Sequence, residues 1–310
     1  MFQPDVLRWK CFAPHPFWEG SRGYALRYQG AIAAFGCMVP CRFLTGAGPV
    51  ASCNMIDWAA RKTVPGAGAM LYRHIQELTG TMINIGGTAE ARILLPQIGF
   101  QARVERHRYA RVLRPWRHFQ QARPKDWKSP LRLARDLGAL GRIFSDAGAL
   151  VARRADGPPD FPAEVLPDPA VTNQTVCERS PELVAYTLAC PAARMDAFVL
   201  ERDHAPAGYF LLSRIGFECR IADLWIRSND PRVWAEAYAA ATAAASSDPG
   251  INEVTAAASA PLETGALQRA GFRRTHSEPV FVKDPENRLA DRKDFAIGFL
   301  ENDGYYWRTD

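Results

Sequence analysis

The run Arg61-Lys62-Thr63-Val64-Pro65-Gly66-Ala67-Gly68 holds the residue types that point most directly to chemistry in this sequence. A glycine-rich turn that opens a helix brings backbone N–H groups close to a pyrophosphate, and the helix dipole adds partial positive charge at the same point. Gly66, Ala67 and Gly68 are small enough for that approach. Pro65 has no N–H to donate, yet its fixed φ suits a first helical turn. The donors would be Thr63, Val64, Gly66, Ala67 and Gly68. Arg61 and Lys62 beside the loop either add attraction for phosphate or are ordinary exposed loop charges. Taken alone, a GxG turn is a weak signal.

Other reactive side chains are scattered. The seven cysteines (Cys11, Cys37, Cys41, Cys53, Cys177, Cys190, Cys219) include no CxxC pair, which points away from a disulfide framework or zinc and toward buried small apolar residues. The six histidines form no HxxxH or HxH pattern, so no metal is expected. Hydrophobic residues make up 47% and charged residues 23% of the 310, which excludes disorder, collagen-like repeats and coiled coil for the chain as a whole. No stretch reaches the ~20 apolar residues of a membrane helix, and MFQPDVLRWK has no signal-peptide core, so a soluble, cytoplasmic protein is expected. The net charge of +5 conceals an uneven distribution: residues 102 to 154 carry 14 Lys plus Arg against four acids. That segment is either a solvated arginine-rich connector or a contact for phosphate-rich partners or an anionic membrane face.

An internal repeat supplies the elements that must position these residues. Pro4 to Phe17 resembles Pro181 to Phe198, at an offset near 175. YALRYQGAIAAFGCMV from Tyr24 parallels FVLERDHAPAGYFLLS from Phe198, each reading as a β-hairpin. Asp57-Trp58 parallels Asp223-Leu224-Trp225, and Gly99-Phe100 aligns with Gly271-Phe272. Each copy reads strand, strand, strand, helix, strand, helix, strand, strand, the last two in the first copy being Gln101 to Leu113 split by a bend. The repeat predicts a domain at residues 1–116, a basic helical linker at 117–159 and a second domain at 160–310. In the linker, Leu131, Leu133, Leu137, Leu140, Ile143 and Phe144 recur at helical spacing behind Ser129-Pro130, which predicts one bridging helix. The proline-rich run from Ala155 to Val171 is expected to be extended.

This order, with Gly66-Ala67-Gly68 opening a helix after the third strand and a later helix ending in Gly99-Phe100, resembles the GCN5-related N-acetyltransferase (GNAT) superfamily, in both halves. The resemblance implies a mixed α/β (α+β) fold: two GNAT-like acyl-CoA N-acyltransferase domains, each a mixed twisted sheet with flanking helices. It places acetyl-CoA or another acyl-CoA along Trp58, Ala59, Ala60, Arg61, Lys62, Thr63, Val64, Gly66, Ala67 and Gly68. It also puts Thr88 near the pantetheine arm, where a helix N-cap after Gly86-Gly87 explains the hydroxyl better. Two departures stand out. Thr63 occupies the place of the usual Arg or Gln, and Leu95 and Leu267 occupy that of the tyrosine many members use to protonate the thiolate.

An amine attacking a thioester must lose a proton, and its oxyanion must be stabilised. Asp57, on the strand before the loop, is the candidate base, with backbone N–H groups near Ile56 to Ala59 for the oxyanion. Asp57 and Asp223 hold equivalent places, which also suits a structural carboxylate capping a turn or pairing across the sheet. Cys53 shares a strand face with Asp57 and is taken as core. The second half has no glycine loop, and Asp230-Pro231 there would repel pyrophosphate, so that copy reads as non-catalytic. Few residues precede Tyr24, so the second half or the bridging helix is expected to complete the first and bury an acceptor cleft. The leading expectation is an acyl-CoA-dependent N-acyltransferase acting on an amine of a small molecule, sugar or peptide. Its rivals are a FemAB-like aminoacyltransferase using aminoacyl-tRNA, for which the basic segment would contact phosphates, and a non-catalytic GNAT-like binding or scaffold protein.

Overall fold

The computed structural model describes residues 3–121, 127–138, 149–157, 161–289 and 295–306. The chain opens with α1 (Pro4–Phe12), followed by the hairpin β1 (Gly23–Tyr28) and β2 (Ala31–Thr45), then β3 (Gly48–Ala60). Next come α2 (Ala67–Thr79), β4 (Thr81–Ile85), α3 (Ala89–Gln97) and β5 (Gln101–Val112). The connector carries α4 (Pro115–Gln121), α5 (Ser129–Gly138) and β6 (Val151–Arg154). After α6 (Pro169–Thr172) and β7 (Thr175–Cys177), the second copy repeats the order. It runs α7 (Pro181–Leu188), β8 (Arg194–Arg202), β9 (Ala205–Ile215), β10 (Glu218–Ile226), α8 (Pro231–Ser246), β11 (Glu253–Ala258), α9 (Pro261–Arg269) and β12 (Arg273–Lys283), before a short β13 (Phe295–Ala296).

All these strands lie in one sheet, ordered β13-β7-β2-β3-β4-β12-β5-β11-β10-β9-β8-β6, with β1 paired to β2. The two copies exchange their last strands. β12 of the second copy pairs antiparallel with β4, Val280 opposite Ile85, while β5 of the first pairs antiparallel with β11, Glu253 opposite Val112. The cores follow the exchange. Phe281 of β12 packs with Met38, Met55, Leu71, Tyr72 and Leu95 of the first copy, and Tyr109 of β5 packs with Phe210, Trp234 and Leu267 of the second. β7 also crosses over, pairing with Phe43 and Leu44 at the open edge of β2. An unpaired edge exposes backbone donors and acceptors, and this three-residue strand covers part of it.

The connector departs from the expected bridging helix. Ser129–Gly138 is helical, but Val151–Arg154 pairs with Phe198 to Glu201 along the edge of β8. Leu140, Ile143 and Phe144 lie outside the described residues. Part of the proline-rich run is also folded, because Phe161 and Val165 bury against the second core, Phe161 edge-on to Tyr209. β5 is continuous across its predicted bend, absorbing the irregularity as register shifts against β12.

Seven arginines of the basic segment bond to groups of the fold itself, Arg106 and Arg111 from buried positions and Arg117, Arg153 and Arg154 from the surface. Arg106 pairs with Glu278 (2.8 Å) and Arg108 with Glu218 (2.5 Å). Arg111, Arg114 and Arg117 donate to carbonyls of Ala270, Ser246 and Pro249, and Arg153 and Arg154 pair with Glu201 and Asp196. Among the described residues no helix is long and apolar enough to cross a membrane.

Candidate functional site

β3 and β4 share a parallel ladder over only three pairs, from Ser52 with Thr81 to Asn54 with Ile83. Phe35 pairs with Ala59 but Cys37 with Ile56, so Asp57 and Trp58 stand opposite Gly36 alone, with Asp57 at φ +51°. Such a bulge bends its strand and re-aims its side chains. Beyond it the two strands diverge around a cavity of about 540 Å³, walled by Met55, Asp57, Trp58, Asn84, Thr88 and Asp303 among others.

The glycine loop adjoins this cavity. Gly66 sits at φ +80°, where a Cβ would be strained although nothing lies within 4 Å of it. α2 therefore begins without a side-chain cap, its first N–H groups lacking intrahelical acceptors. Val64 and Ala67 spend their N–H groups on the turn itself, donating to the carbonyls of Arg61 (3.1 Å) and Val64 (3.2 Å). Trp58 clamps the loop to β3 by donating from its indole to the Gly68 carbonyl at 3.1 Å. A Cβ on Gly68 would stand 3.2 Å from that indole nitrogen, so glycine makes the close approach possible.

Of the residues singled out in the sequence, Asp57, Trp58, Ala60 and Thr88 meet at the cavity wall. Ala59, Arg61, Lys62, Thr63, Val64, Gly66, Ala67 and Gly68 continue β3 and the loop beside it, with Arg61, Lys62 and Thr63 exposed. Thr88 caps α3, its hydroxyl accepting from Ala91 N–H at 3.3 Å. Cys53 is fully buried, its thiol pushed up to about 12 by burial. Leu95 and Leu267 are fully buried too, so the family's tyrosine positions belong to the two cores here.

Asp57 does not stand alone. Lys10 of α1, only 3% exposed, pairs with Asp57 and lies 3.4 Å from Asp303. Burial works against the Lys10 ammonium, but the Asp303 and Asp57 carboxylates outweigh it and hold its pKa above the ordinary lysine value. Burial raises the pKa of Asp303, with Asp57 adding to the effect and Lys10 opposing it. Neither Lys10 nor Asp303 carried a sequence signal, for they lie 47 residues before and 246 after Asp57. Asn84 was also missed. Its amide reaches Met55 O and the Tyr72 hydroxyl at 3.4 Å each, while its buried Oδ1 has no partner among the described residues.

The second copy has the same framework with a different filling. β10 and β11 pair over three residues, Glu218 with Glu253 to Arg220 with Thr255, and β10 is bulged between Ile221 and Asp223. Only about 50 Å³ remains between the diverging ends. Arg179 reaches Asp223 there with two nitrogens, at 2.8 and 3.1 Å, and also pairs with Glu301. The Tyr209 hydroxyl donates to the same aspartate. Asp230 caps α8 by accepting from Arg232 N–H at 2.8 Å.

This architecture matches the GNAT fold of known structures. A GCN5-related N-acetyltransferase from Anabaena variabilis superposes on 90% of this chain and 68% of its own, with 11% identity and a TM-score of 0.55. One from Kribbella flavida covers 87% of this chain and 63% of its own, at 13% identity and a TM-score of 0.56. Saccharomyces cerevisiae N-myristoyltransferase, solved with bound myristoyl-CoA, covers 92% and 76%, at 10% identity and a TM-score of 0.60. No family model matches the sequence, and no curated protein matches it either.

Proposed function

We propose that the chain is an acyl-CoA-dependent N-acyltransferase that works through the first copy alone. The observation that carries this is the open divergence of β3 and β4 next to the uncapped, glycine-bounded start of α2. Gly66 and Gly68 N–H groups would receive the pyrophosphate with the α2 dipole behind them, Arg61 and Lys62 adding charge from the exposed side. The pantetheine arm would lie between the splayed strands, past Trp58, Ala60 and Thr88. This placement is supported by a relative in fold, Saccharomyces cerevisiae N-myristoyltransferase, which was solved with bound myristoyl-CoA.

In this scheme the acceptor amine loses a proton to Asp57, attacks the thioester carbonyl and expels the CoA thiolate. Lys10 fixes Asp57 in place and, through Asp303, links it to the C-terminal segment. With Leu95 and Leu267 in the cores, the thiolate would take its proton from solvent or from the acceptor's own nitrogen. The units at residues 1–116 and 160–310 would act as one body, since each contributes its last strand to the other.

A second reading, a non-catalytic acyl-CoA binder, is favoured by one observation: Asp57 is already ion-paired with a buried lysine. The aminoacyl-tRNA reading loses its main support, since seven arginines of the basic segment are engaged within the fold. Acetyl-CoA and myristoyl-CoA offered with a panel of primary amines test the proposal. Release of CoA thiol that depends on amine, and that slows in Asp57→Asn while binding persists, is the expected result. Binding without turnover for every amine would select the second reading, and no binding of any CoA species would end both.

A further inference from the structure

A second cavity of about 540 Å³ lies far from the cleft, between α4 and α5 on one side and the end of β5 with the starts of β11 and β12 on the other. Arg273 and Arg274 open β12 at this cavity, whereas Val280 reaches the cleft strand β4. Seven residues of extended chain separate the two, roughly 23 Å. The volume falls within the range of small-molecule sites.

Its wall is strongly cationic. Five arginines, Arg111, Arg132, Arg135, Arg273 and Arg274, face two carboxylates, Asp136 and Glu253. Asp136 is consumed by Arg135 and Arg273, which it holds at 2.8 Å each from α5 and β12. Those two guanidinium groups are thereby fixed side by side at the wall with N–H groups to spare, since each has five. Arg274 is exposed and has no ion pair among the described residues. His118 adds an Nδ1 without a hydrogen-bond partner among the described residues. Glu253 opposes an anion less than an ordinary carboxylate would: burial, reinforced by Glu218, holds it at about 7, so near neutrality about half of it is protonated and uncharged. Pro115, Phe119, Leu133 and Val112 supply an apolar floor.

Guanidinium clusters of this kind match the geometry of phosphate oxygens, and an apolar floor matches an organic body. We propose that this cavity is a second ligand site, separate from the acyl-transfer cleft, for a small organic phosphomonoester. Arg274 meets no carboxylate among the described residues, in contrast to Arg106, Arg108, Arg153 and Arg154, each of which does.

Calorimetric titration of the full chain with phenyl phosphate tests this. Binding of one equivalent with Kd below about 1 mM is expected, with inorganic phosphate weaker and phenol silent. Arg274→Glu should weaken binding by at least about tenfold, the worth of one charge-assisted hydrogen bond. Arg274→Gln should weaken it less, and both variants should melt with the parent protein because Arg274 is exposed. Gly66→Glu should leave phenyl phosphate binding unchanged, which separates this site from the proposed acyl-CoA loop. Absence of binding at about 10 mM, unchanged affinity in Arg274→Glu, or loss of binding in Gly66→Glu would each overturn the assignment.

Discussion

The two strand divergences of this molecule share a plan and differ in what occupies them. In each, the third strand of the copy bulges, parallel pairing stops after three residues, and an aspartate at the bulge shares a buried cation with an acid from the C-terminal segment. The first trio is Asp57, Lys10 and Asp303; the second is Asp223, Arg179 and Glu301. Lysine offers a point charge, and Asp303 keeps 19% of its side chain exposed at the cavity. Arginine offers a planar fork that bonds both oxygens of Asp223, while the Tyr209 hydroxyl donates to the same carboxylate and Glu301 is sealed at 1% exposure. β7, β13 and residues 297 to 301 close the second divergence to about 50 Å³ and leave the first at about 540 Å³. The same framework thus stays open at one divergence and is filled at the other.

The contrast can be broken at several points. The largest effect is expected from Arg179→Ala, which strands Asp223 and Glu301 without their cation and should cost about 3–5 kcal/mol in urea unfolding. Lys10→Ala should cost less, because Asp303 borders the open cavity and can turn to water. Equal losses would mean that the two trios are equally sealed.

Next comes the loop. At one hundred times its Kd, CoA should raise stability by about 2.7 kcal/mol, and Gly66→Glu should abolish that gain by adding a side chain and a like charge where phosphate approaches. The closed divergence predicts an effect of pH. Burial, with Glu301 nearby, pushes Glu263 up to about 8, and its Oε2 has no partner among the described residues. The folded state keeps a proton that the unfolded chain releases above its usual 4.5, so stability should fall as pH climbs from 4.5 to about 8 and then level off. Glu263→Gln should therefore melt higher than the parent at pH 8 but not at pH 4, by about 1–2 kcal/mol at the upper end. An equal difference at both pH values would contradict a neutral buried acid. The smallest effect is that of Thr88→Ala, about 1 kcal/mol from the lost cap of α3, with acyl-CoA affinity unchanged if the hydroxyl serves only the helix.

Much of the framework was legible in the sequence because it is local. Alternation marked the hairpins, Gly66 and Gly99 marked a helix start and a helix end, and Thr88 fitted a cap that the structure shows bonded to Ala91. The exchange of last strands was not legible. β5 and β12 carry the same alternation whichever copy they pair with, so periodicity cannot choose between partners. β6 and β7 are too short to register as strands, and their pairing depends on open edges that only the assembled sheet presents. At the candidate site, Asp57 and the loop stood out through spacing, but Lys10 and Asp303 are joined to Asp57 only by the fold. The charge excess of residues 102 to 154 was visible, while its internal use was not, since the partners of Arg106, Arg108 and Arg153 are far away in the chain.

Calorimetric titration of the full chain with CoA, beside Gly66→Glu, tests the central claim most directly. One site per chain, lost in Gly66→Glu, is the predicted result. Two equivalent sites, or binding that survives that substitution, would contradict the assignment of the acyl-CoA cleft to the first divergence alone.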